Sequence, residues 1–276
     1  MKVIVFANNK GGCGKTTCAI NVAIPLAAKG NRVLAIDMDQ QGNLSAALGA
    51  DLNALDDPSD PLYRRTSLRM LMDGREDYSG YLIPSRKRLD LIPAVVDEDA
   101  RKLIEAWDVS RELLLREKLQ AARKHYDYCV IDTPPDTGAP TLNSLAVSDL
   151  TIVPINAGKF GLVGLNQLLR KIAKVRSTAA PNMMLMALST LYAARESLHQ
   201  QTRDTVLKKF DNDFVFRTAI PRAAAIEQAS SANQAVSERE PDSQGAFAFH
   251  KLIAEILEIL EDEQQTQTTG TGRLAQ

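Results

Sequence analysis

Long apolar runs are missing from this chain of 276 residues. None approaches the roughly 18 consecutive apolar residues of a membrane-spanning helix, so no segment reads as crossing a bilayer. An excess of one charge is missing too: 33 Lys and Arg stand against 34 Asp and Glu, a net charge of −1. Bulk charge therefore selects neither nucleic acid nor a membrane surface, and any anionic partner needs a local basic patch. Cysteine is limited to Cys13, Cys18 and Cys129, none at metal-ligand spacing. Reduced thiols in a cytoplasmic protein are the simplest reading. No aromatic stacking platform, base-reading helix or internal repeat is evident. The histidines at 125, 199 and 250 read as surface or core positions rather than ligands. The chain opens at once on a strand, so no signal peptide is expected.

What is present begins with Lys10-Gly11-Gly12-Cys13-Gly14-Lys15-Thr16-Thr17. The apolar run Lys2-Val3-Ile4-Val5-Phe6-Ala7 before it reads as a buried strand, and Cys18 to Ala23 after it as the opening of a helix. Strand, glycine turn, Lys-Thr and helix in that order make a phosphate-binding loop. Glycines let backbone N–H groups converge on phosphate oxygens, and the helix start adds positive potential. Residues 10–17 are thus expected to bind nucleotide. Lys15 serves the β- and γ-phosphates, and the Thr16 hydroxyl is placed for Mg²⁺.

The rest of the chain alternates strands with helix-length segments. Strands are expected at 31–37, 89–94, 126–132, 150–155 and 183–188, with helices near 67–72, 97–106, 110–124, 161–176, 198–210 and 243–261. Ser110 is the expected cap of the helix it opens, and the Asp- and Pro-rich stretch 51–62 reads as a loop. This order predicts a P-loop NTPase fold of the α/β class: a mostly parallel twisted sheet with helices on both faces. Residues 1–262 form one expected domain. Residues 263–276, rich in Gln, Thr and Gly, read as a polar, disordered tail.

Two strands end in carboxylates, at the sheet edge where such folds bind ligands. One runs into Asp37-Met38-Asp39-Gln40-Gln41-Gly42-Asn43, and the chain turn there lets both aspartates approach the phosphates. The other, Tyr128 to Asp132, is followed by Thr133-Pro134-Pro135. It is a Walker B arrangement, which delivers one carboxylate to the metal. Asp136 reads as a turn or helix cap.

With Lys10 in front, the loop resembles the K-G-G-x-G-K-T-T pattern of the deviant Walker A ATPases, the ParA/MinD family. Asp37 to Asn43 resembles that family's D-x-D-P-Q-G-N, with Gln40 in place of proline, and Asp132 to Pro135 its D-x-P-P. Thr218-Ala219-Ile220-Pro221-Arg222 with Glu227 resembles its T-x-I-P-R and following acidic stretch. The resemblance implies ATP and Mg²⁺ as cofactors and an ATP-dependent homodimer in which Lys10 reaches the partner's site. It further implies that Asp39 positions the attacking water, that Asp37 and Asp132 lie near the metal with Thr16, and that Ile220 and Pro221 border adenine. Arg195 and Arg222 are the implied DNA-facing arginines. The family's next basic residue is absent, since Ala223, Ala224 and Ala225 follow. Arg170, Lys171, Lys174, Arg176, Arg203, Lys208, Lys209 and Arg217 are the candidates to replace it.

The resemblance is strongest to the short, Soj-like partition ATPases. It implies non-specific double-stranded DNA binding, slow hydrolysis stimulated by a ParB-like centromere-binding protein, and a cytoplasmic protein that joins the nucleoid when ATP-bound. The alternative is a MinD-like ATPase cycling on a membrane surface. That subgroup ends in a basic amphipathic helix, whereas the last helix here carries Glu255, Glu258 and Glu261 on its polar side, so no membrane partner is expected. A reductase of the nitrogenase iron-protein type shares the loop but needs paired interface cysteines, which Cys13 and Cys129 do not supply.

Overall fold

Strands buried on both faces need apolar side chains at every position, and that is how β1 (Lys2–Phe6) and β2 (Val33–Asp37) read. Alternate residues of β1 serve opposite layers. Val3 and Val5 pack on one side of the sheet, Ile4 and Phe6 on the other. The computed structural model describes residues 1–73, 78–94, 113–156, 164–210 and 214–269.

After α1 (Lys15–Ala28) and β2 come α2 (Asn43–Ala47), α3 (Leu52–Asp56) and α4 (Ser67–Met72). A hairpin of β3 (Ile83–Arg86) and β4 (Leu89–Ile92) leads to α5 (Leu114–Ala122), β5 (Tyr128–Asp132) and α6 (Ala139–Val147). Then follow β6 (Leu150–Asn156), α7 (Leu165–Thr178), β7 (Met184–Thr190) and α8 (Ser197–Phe210). The chain closes with α9 (Ala224–Ser231), α10 (Val236–Arg239) and α11 (Gln244–Thr269).

The sheet order is β3-β4-β2-β5-β1-β6-β7, with every neighbour parallel except the edge pair β3–β4. Residues of α4 to α8 cover one face, and residues of α1, α2, α9, α10 and α11 cover the other. This is the expected fold, and it sets the phosphate loop between β5 and β6 at the carboxyl edge. The apolar stripe of α11, with Leu252, Ile253, Ile256 and Leu260, is buried in the second layer. That stripe is committed to the core and is not offered to a bilayer. Among the described residues no helix is long and apolar enough to cross a membrane.

Four expectations differ from the structure. The stretch 51–62 contains α3, because Asp51 accepts hydrogen bonds from the Asn53 and Ala54 amides and so starts a helix. β3 was absent from the strand pattern, since Pro84 interrupts it. An edge position tolerates the missing donor. The short helices α2, α6, α9 and α10 were also unforeseen, α6 with Pro140 in its first turn. Finally, the tail expected from Glu263 is helical as far as Thr269. Glu and Gln propagate a helix that is already nucleated. The helix expected at 97–106, the Ser110 cap, the first residues of the helix expected from 161, and 270–276 lie outside the described residues.

Candidate phosphate and metal site

Register places the acidic residues. Asp132 at the end of β5 lies beside Phe6 of β1 and beside Asp37 of β2, so three strand ends meet under the loop. The loop itself turns through Gly14, whose φ of 89° is a left-handed value that favours glycine, directly before α1. A Cβ there would meet the Thr190 side chain at 3.8 Å. Thr190, at the end of β7, donates its hydroxyl to the Cys13 carbonyl at 2.7 Å and clamps the loop from the far side. Asn8 holds the near side: its amide donates to the Pro154 carbonyl at 2.7 Å, and its oxygen accepts from the Lys10 N–H at 3.2 Å.

Lys15 is buried, and its ammonium donates to the Lys10 carbonyl across the loop at 3.2 Å. Cys13 is buried with its thiol on the same carbonyl, and burial holds that thiol above its ordinary pKa, so it is no nucleophile. Gly11 and Gly12 are exposed at the loop tip, while Lys10, Gly14, Thr16 and Thr17 are half-buried around it.

The Thr16 hydroxyl donates to Asp132 Oδ2 at 2.6 Å. Asp132 Oδ1 is buried and has no hydrogen-bond partner. Burial, reinforced by the neighbouring Asp37, pushes the Asp132 carboxyl well above the carboxylate range. An unpaired buried oxygen beside a hydroxyl and a second carboxylate is the environment a hard cation satisfies, because it adds positive charge to what Lys15 alone supplies. Among the described residues no group of three or more His, Cys, Asp or Glu forms a cage. A cation bound through one or two protein oxygens plus substrate phosphates needs none.

Asp37 is fully buried, and burial raises its carboxyl to about 7, against the lowering effect of the hydrogen bonds it accepts from Ser45. Its Oδ2 accepts from the Ser45 amide at 2.8 Å and hydroxyl at 2.7 Å, and its Oδ1 from the Asp39 amide at 3.1 Å. Both Asp37 oxygens thus hold the chain between β2 and α2, whereas Asp132 keeps one oxygen without a hydrogen-bond partner. Ser45 was missed in the sequence, since nothing local marks a serine eight residues away as a carboxylate's partner. Asp39 is 8% exposed, and burial raises its carboxyl while Lys15 pulls it down. The turn after it closes without the family's proline. The Gly42 amide donates to the Asp39 carbonyl at 2.9 Å, and Gly42 takes a φ of 64°. Asp136 accepts from the Gly138 amide at 2.7 Å ahead of α6, as its reading as a cap expects.

Ile220 and Pro221 line a cavity of about 330 Å³ together with Gly14, Thr17, Leu191 and Ile226. The structure therefore joins the second-half motif to the phosphate loop. Tyr192 and Pro221 pair as a parallel bridge, with the Tyr192 amide on the Ile220 carbonyl and the Arg222 amide on the Tyr192 carbonyl. This pairing brings the segments carrying Arg195 and Arg222 side by side, and both arginines are exposed. His199 secures the first segment by accepting the Ala193 N–H at 2.9 Å.

Several candidate replacement cations are engaged by the chain itself. Arg217 pairs with Glu258 at 2.6 Å and Glu255 at 3.7 Å on α11. Arg203 donates to the Arg217 carbonyl at 2.9 Å, Lys171 to the Thr137 carbonyl at 3.0 Å, and Lys209 to the Asn166 side chain. Arg170, Lys174 and Lys208 remain as exposed cations on α7 and α8.

A protein-family model described as "AAA domain" matches residues 1–185. The sporulation initiation inhibitor protein Soj of Bacillus subtilis is 33% identical over 256 residues, which cover 92% of this chain and 98% of that protein. The chromosome partitioning protein ParA of Caulobacter vibrioides is 34% identical over 268 residues, 96% of this chain and 97% of that protein. Among solved structures, a cobyrinic acid a,c-diamide synthase from Mycobacterium smegmatis, crystallised with an ATP analog and magnesium, superposes with a TM-score of 0.78 at 28% identity. The match covers 95% of this chain and 96% of that one.

Proposed function

We propose a function for this chain from one premise: it belongs to the AAA-domain family that contains the Soj and ParA proteins. It is a partition-type ATPase that takes ATP with Mg²⁺. Residues 10–17 hold the phosphates, with Lys15 as the fixed cation. Thr16 and Asp132 hold the metal, and Asp37 keeps the adjoining turn in place. Bound there, Mg²⁺ supplies the charge that neutralises the phosphate oxygens. Lys10 crosses to the partner's site in an ATP-dependent homodimer, Asp39 orients the attacking water, and Ile220 and Pro221 flank the base.

Arg195 and Arg222 contribute to a face that binds double-stranded DNA through phosphates, without sequence preference. Closure on ATP favours the dimer because the nucleotide contacts both subunits. Hydrolysis, slow alone and stimulated by a ParB-like centromere-binding protein, releases the DNA. The cycle moves a chromosome or plasmid region over the nucleoid.

The single observation that carries this reading is the 2.6 Å Thr16–Asp132 hydrogen bond beside an unpartnered Asp132 oxygen, directly under a loop fronted by Lys10. Size-exclusion chromatography with ATP and Mg²⁺ tests it. The wild-type chain is expected to elute as a dimer, and Lys10→Ala to bind nucleotide but stay monomeric. A Lys10→Ala variant that still dimerises on ATP would remove the crossing lysine from the account.

A further inference from the structure

The cavity beside the phosphate loop combines apolar sides with a polar edge. Its apolar sides come from Leu191, Ile220, Pro221 and Ile226, the surfaces a flat base packs against. α9, which supplies Ile226, also contributes the polar Glu227 and Ser230. The Val236 amide, at the start of α10 just after it, donates to the Asn21 side chain of α1 at 2.7 Å. Ser230 lines the same cavity as Thr17 and Cys18. Glu227 lies one turn earlier on α9, with its carboxylate 4.0 Å from Arg222, the residue after the Ile220–Pro221 pair. That ion pair is long, and its side chains are 67% and 63% exposed. It holds the carboxylate only weakly and leaves it available to a ligand.

We propose that Glu227 is the specificity-determining residue of the base pocket, its carboxylate accepting a hydrogen bond from the exocyclic 6-amino group of adenine. The inference rests on the reading of residues 10–17 as the ATP-phosphate site. A carboxylate is an acceptor only. It welcomes an amino group and is repelled by a carbonyl oxygen at the same position, so the pocket rejects purines that carry oxygen there. The base needs no other donor or acceptor in the apolar part of the cavity for this discrimination to work.

The probes are ATP and inosine triphosphate, which differ at the 6-position in an amino group against a carbonyl. Dissociation constants are measured by titration calorimetry with Mg²⁺ on the full chain and on Glu227→Gln, an exposed and nearly isosteric change. The wild type is expected to prefer ATP by about tenfold, in line with a partly exposed hydrogen bond to a charged group. Glu227→Gln, whose amide can both donate and accept, is expected to bring the two constants within about twofold, mainly by tightening inosine triphosphate. Equal wild-type affinities, or a ratio that Glu227→Gln leaves unchanged while both constants weaken together, would overturn the proposal. The second result would mean that Glu227 serves only the start of α9. Wild-type protein that binds neither triphosphate would overturn the phosphate-loop reading itself, which separates that failure from this one.

Discussion

The phosphate end and the arginine face share one edge of one sheet, yet they obey different physics. Under the loop, Asp37 and Asp132 are fully buried, and strand register fixes their positions. On the arginine face, Arg195 and Arg222 are exposed on connecting segments, and several neighbouring cations are engaged by the chain's own acceptors. At the first region a single atom matters, because an unpaired buried charge is costly. At the second, water screens each charge, and only the sum over several phosphates is large. Under the proposed function the contrast suits a switch: a buried site that reads one ligand, joined through the Tyr192–Pro221 bridge to an exposed surface whose grip would be graded.

The comparison breaks first at Lys15. Lys15→Ala is expected to weaken ATP binding by more than about 100-fold, since a buried charge-assisted contact is lost. Equilibrium dialysis reads it, and near-normal affinity would mean that the loop does not cradle phosphate.

Asp132→Asn sharpens the contrast through two opposite effects. ATP hydrolysis should disappear, while the nucleotide-free protein should melt a few degrees higher, because folding no longer has to protonate a buried carboxyl that is ionised in the unfolded chain. Calorimetry beside a phosphate-release assay checks both.

A third prediction concerns pH. The folded Asp37 carboxyl titrates at about 7, above an unfolded value of about 3.9. Its contribution to stability is therefore fully present below the unfolded value and is lost as pH rises through the folded one. The metal-free melting temperature should carry a downward component between those limits. Asp37→Asn should flatten it relative to the wild type, and a parallel slope in both proteins would remove Asp37 as its source.

The face at Arg222 should respond more mildly. Arg222→Ala is expected to reduce affinity for random-sequence duplex by several-fold and to lower the salt slope by about 1, with ATP binding unchanged. Smallest of all is Arg217→Ala. Its guanidinium is held by Glu255 and Glu258, so DNA affinity should shift by less than about twofold. An effect as large as that of Arg222 would show that the paired cation joins the surface.

The same division explains what the sequence made legible. β1, β2 and β5 were readable because strands buried on both faces are continuous apolar runs, and two of them stop at a carboxylate. The phosphate loop was readable because glycine positions and Lys-Thr carry their chemistry locally. β3 escaped because an edge strand with Pro84 has neither a continuous run nor clean alternation. Ser45 on Asp37, Thr190 on the loop, and Glu255 and Glu258 on Arg217 escaped for another reason. Ser45 lies eight residues from Asp37 across a turn and the other partners lie far along the chain, and no local pattern announces a contact that only the tertiary fold creates. The arginine face was half legible: its positions could be named, but not which cations the chain itself neutralises.

The central claim is that what occupies the buried site sets the grip of the exposed one. An electrophoretic shift on random-sequence duplex DNA, run with ATP, with ADP and without nucleotide at two salt concentrations, tests it most directly. The account predicts retardation with ATP and Mg²⁺ alone, weakening steeply at the higher salt. Equal retardation in all three nucleotide states, or none in any, would contradict it.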